Sequence, residues 1–157
     1  MIKIKQHRFF KGEIKSVTVS KNPMGQYFVS VLVDTENIKL PRVNSKIGIN
    51  VGLKEFAIYS DGYRVPNPKH LRKSEKRLRK LQKDLSRKQK GSNNRNKARL
   101  KVAKLHQKIV DQRKDFLHKL SIKLIRENQS IAIEDLKINN MMKNHKLARV
   151  ISEAKLV

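Results

Sequence analysis

At 157 residues the chain has room for one ordinary domain, or one domain and a fragment of another. Its 38 Lys and Arg against 13 Asp and Glu leave a formal charge of +25, a self-repulsion that a bound polyanion, above all nucleic acid, relieves. The lack of cysteine excludes disulfides and thiolate zinc sites, and no apolar run is long enough to span a membrane. The opening Met1–His7 has no apolar stretch of a secretory signal, so a cytoplasmic, nucleoid-associated protein is expected. His7, His70, His106, His118 and His145 show no ligand spacing.

In chain order, residues 1–45 read as strands. Glu13–Val19 and Tyr27–Val33 are rich in β-branched and aromatic residues, and Asn22-Pro-Met-Gly25 between them has turn chemistry. An antiparallel hairpin is expected there, with one more strand within residues 1–11. Lys46 opens a second region. Ile47, Ile49 and Val51 point to one face of a strand, while Gly48, Asn50 and Gly52 share the other. Glycines on one face suggest that a backbone or a ligand comes close. Phe56–Ser60 is the next strand, Asp61-Gly62 a tight turn and Tyr63–Val65 the return. Pro66-Asn-Pro68 then ends the sheet and starts a helix.

Residues 68–127 read as a long antiparallel helical hairpin. Leu71, Leu78, Leu81 and Leu85 fall at a/d spacing in the first helix; Ala98, Val102, Leu105, Ile109, Gln112 and Phe116 do so in the second. Gly91-Ser-Asn-Asn94 offers a C-cap glycine and candidate N-caps. Past Phe116 the apolar stripe broadens through Leu117, Leu120, Ile122, Leu124 and Ile125, which predicts that the helix base packs on the sheet.

The hairpin carries the charge. From Lys69 to Lys104 there are 16 Lys or Arg, and only Glu75 and Asp84 are acidic. Like charges at i,i+4, as in Arg72/Lys76/Lys80 and Arg79/Lys83/Arg87, destabilise a helix, so solvation alone is a poor reason for them. Contact with a phosphate backbone is the better one. The candidate nucleic-acid-binding residues are Arg72, Lys76, Arg79, Lys80, Lys83, Arg87, Lys88, Arg95 and Arg99. With no Trp and 5% aromatics, backbone and shape recognition fits better than base stacking.

Ile131-Ala-Ile133 has apolar residues on both faces, as in a central strand covered on both sides. Glu134 at its end would stand beside Asn50 at the end of the strand at 47–51. Two-metal phosphoryl chemistry needs several carboxylates around cations about 3.5–4 Å apart, and magnesium takes oxygen ligands octahedrally. By itself Glu134-Asp135 reads as two acids closing a strand.

The ensemble of motifs says more. Gly48-Ile-Asn-Val-Gly-Leu-Lys54, the Asp61-Gly62 turn, the Leu71-Arg-Lys helix, Arg113-Lys-Asp-Phe-Leu-His118 and Ile133-Glu-Asp-Leu136 resemble the OrfB/TnpB family of insertion-sequence transposases. Asn144-His-Lys-Leu-Ala148 looks like that family's next segment. The resemblance implies an RNA-guided DNA endonuclease with a RuvC-type, RNase H-like domain, acting on DNA with a guide-like RNA and using magnesium. It implies an α/β fold in two parts. Residues 1–45, with the hairpin at 12–34, would be the last strands of a wedge-like barrel. Residues 46–157 would be the first half of the nuclease domain, a partial sheet interrupted by the helical hairpin 68–127.

Three departures bear on activity. The family's first catalytic aspartate corresponds to Asn50, its second carboxylate to Glu134, and its third acid and four-cysteine zinc ribbon have no counterpart in these residues. Glu134 would then be a weak metal ligand by itself, and the chain is expected to bind nucleic acid without cutting it alone. A fragment of a transposon nuclease, a nuclease-dead regulator derived from one and, less well supported, a ribosome-associated basic hairpin are the readings left open. The residues set no oligomeric state. With four of five sheet strands expected, the outer side of 131–135 would stay open, an aggregation hazard.

Overall fold

A computed structural model describes residues 5, 6, 9–36, 39–136, 143 and 151. The chain divides into two units, Met1–Leu40 and Pro41–Val157.

In the first unit, β1 (Glu13–Lys21) and β2 (Tyr27–Asp34) form a two-stranded antiparallel sheet. Its register runs from Glu13 opposite Asp34 to Lys21 opposite Tyr27, with a bulge between Ile14 and Ser16. The turn closes as its residues dictate. Asn22 Oδ1 accepts from the backbone N–H groups of Met24 and Gln26, both at 3.0 Å, and Gly25 takes φ 80°. The register gathers Val17, Val19, Val29, Val31 and Val33 on one face and Ser16, Thr18, Ser20 and Ser30, with Phe28 and Leu32, on the other. The expected extra strand lies partly outside the described residues; Lys5, Gln6 and Phe9–Lys11 are not in a strand.

The second unit holds a four-stranded sheet in the order β5-β4-β3-β6, built from β3 (Lys46–Val51), β4 (Glu55–Tyr59), β5 (Arg64–Pro66) and β6 (Ser130–Ile133). β3, β4 and β5 form an antiparallel meander, and β6 pairs parallel with β3. Asp61 supports the β4–β5 turn by accepting from the Tyr63 N–H at 2.9 Å, while Gly62 adopts φ 87°. Gly52 is demanded by the β3–β4 connection, since a Cβ there would come within 2.9 Å of the Glu55 carbonyl oxygen.

Two helices, α1 (His70–Ser86) and α2 (Asn93–Glu127), separate β5 from β6. Leu78, Leu105 and Ile109 are the buried centre of their seam, flanked by Leu71, Leu81 and Val102, so the a/d spacing holds. Lower down, Phe116, Leu120 and Leu124 of α2 pack on Ile49, Ala57, Tyr59 and Val65 of the sheet. Phe116 meets the Phe56 ring edge-on at 5.0 Å. The helix base thus does rest on the sheet. The contact is narrower than the sequence suggested: Leu117 and Ile125 are exposed, because the packing uses only one side of the broadened stripe.

Two other expectations need correction. Gly91 does not cap α1, which ends at Ser86; it supplies φ 83° in the loop, and Ser92 caps α2 by accepting from the Arg95 N–H at 3.2 Å. Nor is Ile131–Ile133 covered on both sides. Within the described residues β6 has a neighbour only in β3, and Ile133 is 64% exposed. The segment Asn144–Ala148 lies outside the described residues.

Because Ile109 is 3% exposed at the middle of the helical seam, Ile109→Ala is expected to cost about 2–5 kcal/mol, read as a lower urea midpoint of helical circular dichroism.

Candidate functional site

The parallel register determines what meets at the end of the sheet. Gly48 lies opposite Ala132 and Ile49 opposite Ile133, where β6 ends; Glu134, the next residue, and Asn50 line one hollow at the strand ends. On the other side of β3, Asn50 lies opposite Ile58, and the Ser60 N–H donates to the Gly48 carbonyl at 2.9 Å. Gly48, Asn50, Ile58, Ser60, Ala132 and Glu134 therefore share the sheet face that α2 does not cover. They line an open hollow of about 470 Å³. Ser60 Oγ accepts from the Gly48 N–H at 3.1 Å, which holds its hydroxyl over the small-residue floor.

The side chains named on this face offer as oxygen donors one carboxylate, one amide and one hydroxyl. Among the described residues no group of three or more His, Cys, Asp or Glu side chains could hold a metal ion. An amide has an acceptor oxygen but no charge, so this set does not fit a pair of magnesium ions. Ser60 escaped the sequence reading because its place in the hollow depends on the β3–β4 register. Counting back from the Asp61-Gly62 turn would have found it.

The candidate cationic residues fall into groups with different surroundings. At about 100° per residue, Arg72, Lys76, Lys80, Lys83 and Arg87 span an arc of only about 80° on α1. That arc points away from Leu71, Leu78, Leu81 and Leu85, and all five cations are exposed. Arg99 of α2 is exposed too. Three others have partners within the chain. Arg79 pairs with Glu75 at 2.7 Å and Lys88 with Asp84 at 3.4 Å, both i,i+4 with the acid first, the better orientation. Arg95 is partly buried in the hairpin turn, where its Nη1 donates to the Leu85 and Lys88 carbonyls at 3.1 and 3.0 Å. It satisfies carbonyls at the end of α1 and so has a structural task. A second stripe was missed. Lys97, Lys101, Lys104 and Lys108 lie within about 60° on one flank of α2, all exposed, and the same wheel arithmetic would have shown it.

Residues 28–145 match the OrfB_IS605 family, described as "Probable transposase". The chain belongs to the OrfB/TnpB family. A Streptomyces pristinaespiralis member named "Putative RNA-guided DNA endonuclease" is 49% identical over 143 residues, covering 91% of this chain and 36% of that protein. An Escherichia coli K12 member named "Putative RNA-guided DNA endonuclease InsQ" is 34% identical over 144 residues, with coverage of 91% and 36%. The chain thus spans about a third of the length of the curated OrfB/TnpB relatives it matches. Among the described residues no helix is long and apolar enough to cross a membrane.

Where α1 starts beside the base of α2, His70 stacks edge-on to Phe116 at 6.4 Å, and its Nε2 is buried with no hydrogen-bond partner. Burial, then the nearby Lys73 and Arg113 charges, holds its pKa below the ordinary 6.5. The unfolded chain therefore takes up this proton first, so the stability His70 contributes is full above pH 6.5 and lost as pH falls toward its lower folded value. The fall in Tm from about pH 7.5 to about pH 5 is expected to be smaller in His70→Gln than in the parent.

Proposed function

We propose that this chain is a nucleic-acid-binding portion of an RNA-guided DNA endonuclease of the OrfB/TnpB type, and that it does not cleave DNA by itself. The observation that carries the reading is the meeting of Asn50 and Glu134 in one hollow at the strand ends, together with a helical hairpin whose exposed faces are cationic. The sheet order β5-β4-β3-β6, a meander joined to a parallel strand, supports a partial RNase H-like, RuvC-type domain over residues 46–157. The β1–β2 hairpin supports strands of a wedge-like barrel within residues 1–45. DNA and a guide-like RNA are the proposed partners, in the cytoplasm, with the α1 stripe and Arg99 contacting phosphates.

Magnesium, which the lineage implies, lacks a fitting ligand set in the hollow. The amide at position 50 also favours a second reading, a nuclease-dead regulator of the same descent. Selective binding of guide-like RNA over random RNA supports that reading, and equal binding of both counts against it.

If the α1 stripe grips phosphates, Lys76→Glu/Lys80→Glu/Lys83→Glu should bind duplex DNA more weakly and flatten the slope of log affinity against log salt by about 2.7, from about 0.9 per contact. An unchanged slope in fluorescence anisotropy would count against the stripe. Neither the parent nor Asn50→Asp should nick plasmid or labelled DNA in magnesium; cutting by either overturns the non-cleaving reading.

A further inference from the structure

We propose that the first turn of α1, His70 to Lys73, is a strained latch that opens while the rest of the fold stays in place. Opening releases His70 from Phe116 and detaches Arg72 from the fixed line of Lys76, Lys80, Lys83 and Arg87. The latch is independent of the nucleic-acid reading above.

The strain begins in the sequence. Pro66 and Pro68 disfavour the helical region for Val65 and Asn67, the residues before them. The chain turns into α1 at Lys69, which takes φ 49° and ψ 43°, and among the described residues no other residue except glycine has a positive φ. A Cβ is crowded in this left-handed region, which Asn tolerates better than Lys does. Asn67 is the strut that holds the turn. Its Oδ1 accepts from the Lys69 N–H at 3.1 Å, and its Nδ2 donates to the Leu53 carbonyl at 3.1 Å. Strain of this kind persists only where the surroundings over-determine it.

Three further features load the same turn. No side chain caps the start of α1, whose first turn holds Arg72 and Lys73 and no acid, at the positive end of the helix dipole. Arg72 also stands at i,i+4 from Lys76, a like-charge pair. The His70 Nε2 is buried without a partner, a cost that water removes once the ring leaves Phe116. Against these stand the Asn67 strut, the ring contact with Phe116 and Leu71, half-buried on the helical seam.

The start of α2 supplies an internal reference. Ser92 caps it from an extended conformation, and the Asn96 N–H donates to the Ser92 carbonyl at 3.1 Å. The Lys73 N–H donates to the Lys69 carbonyl at the same 3.1 Å. Both are the first bond of their helix, so they differ in their surroundings and not in their geometry.

Amide hydrogen exchange of the full chain, read by NMR with no nucleic acid present, tests the latch. After correction for intrinsic rates, Lys73 is expected to exchange at least about tenfold faster than Asn96. Lys69→Asn should slow Lys73 about threefold relative to Lys69→Gln, which removes the same charge without the tolerance for left-handed backbone. Asn67→Ala should speed Lys73, and Asn96 should hold its rate in all three variants. If Asn67→Ala does not fold, the two Lys69 variants decide. Equal protection of Lys73 and Asn96, equal rates in the two Lys69 variants, or a shift of Asn96 as large as that of Lys73 overturns the latch. None of these outcomes touches the nucleic-acid reading.

Discussion

The parallel pairing of β3 with β6 is the constraint on which the second unit depends. Parallel strands cannot be joined by a tight turn, so the intervening chain must leave the sheet and come back, and here the excursion is the helical hairpin. The return is clasped by polar contacts. The Gln129 N–H donates to the Ser45 carbonyl at 2.8 Å, and the Ser45 hydroxyl donates to Asn128 Oδ1 at 2.8 Å. Asn128 Nδ2 in turn reaches the Leu124 carbonyl at 3.1 Å, so this buried amide is satisfied by the helix it ends and by the strand it joins. One pairing therefore anchors α2 against the sheet, brings Asn50 and Glu134 to one hollow and, among the described residues, leaves the far face of the sheet open.

Charge and apolar surface pull this molecule in opposite directions. Val17, Val19, Tyr27 and Leu32 of the first unit are exposed, as are Leu117, Ile125 and Ile133 of the second. Apolar surface of this kind favours association, and a strand edge such as that of β6, unpaired among the described residues, offers backbone groups to other strands. The net charge of +25 opposes that association by mutual repulsion. Salt or a polyanion weakens the repulsion and leaves the apolar attraction in place.

Local features of the fold were legible in the residues, and long-range ones were not. The β-branched runs around Asn22–Gly25, the Asp61-Gly62 turn and the a/d leucines of α1 announce their elements, because turn chemistry and periodicity act over a few residues. Register between distant strands depends on contacts about eighty residues apart, which no short pattern encodes. That is why the apolar run Ile131–Ile133 looked like a central strand although β6 lies at an edge among the described residues. Ser60 is a different case: its place beside Gly48 follows from the local β3–β4 register and was within reach of the turn chemistry. Arg95 shows a different limit. Composition counts it with fifteen other cations between Lys69 and Lys104, but its position just inside α2 commits its guanidinium to the carbonyls that close α1.

The length of α2 has a metric consequence. Its 35 residues, at about 1.5 Å each, make a rod of roughly 50 Å that is followed, after Asn128 and Gln129, by β6 and then Glu134. A duplex turn measures about 34–36 Å, so polyanion held at the far end of the rod is about one and a half turns away from the sheet. Were nucleic acid held at the far end, as proposed, the helix would act as a ruler, setting how many nucleotides lie between the point of grip and the end of the sheet.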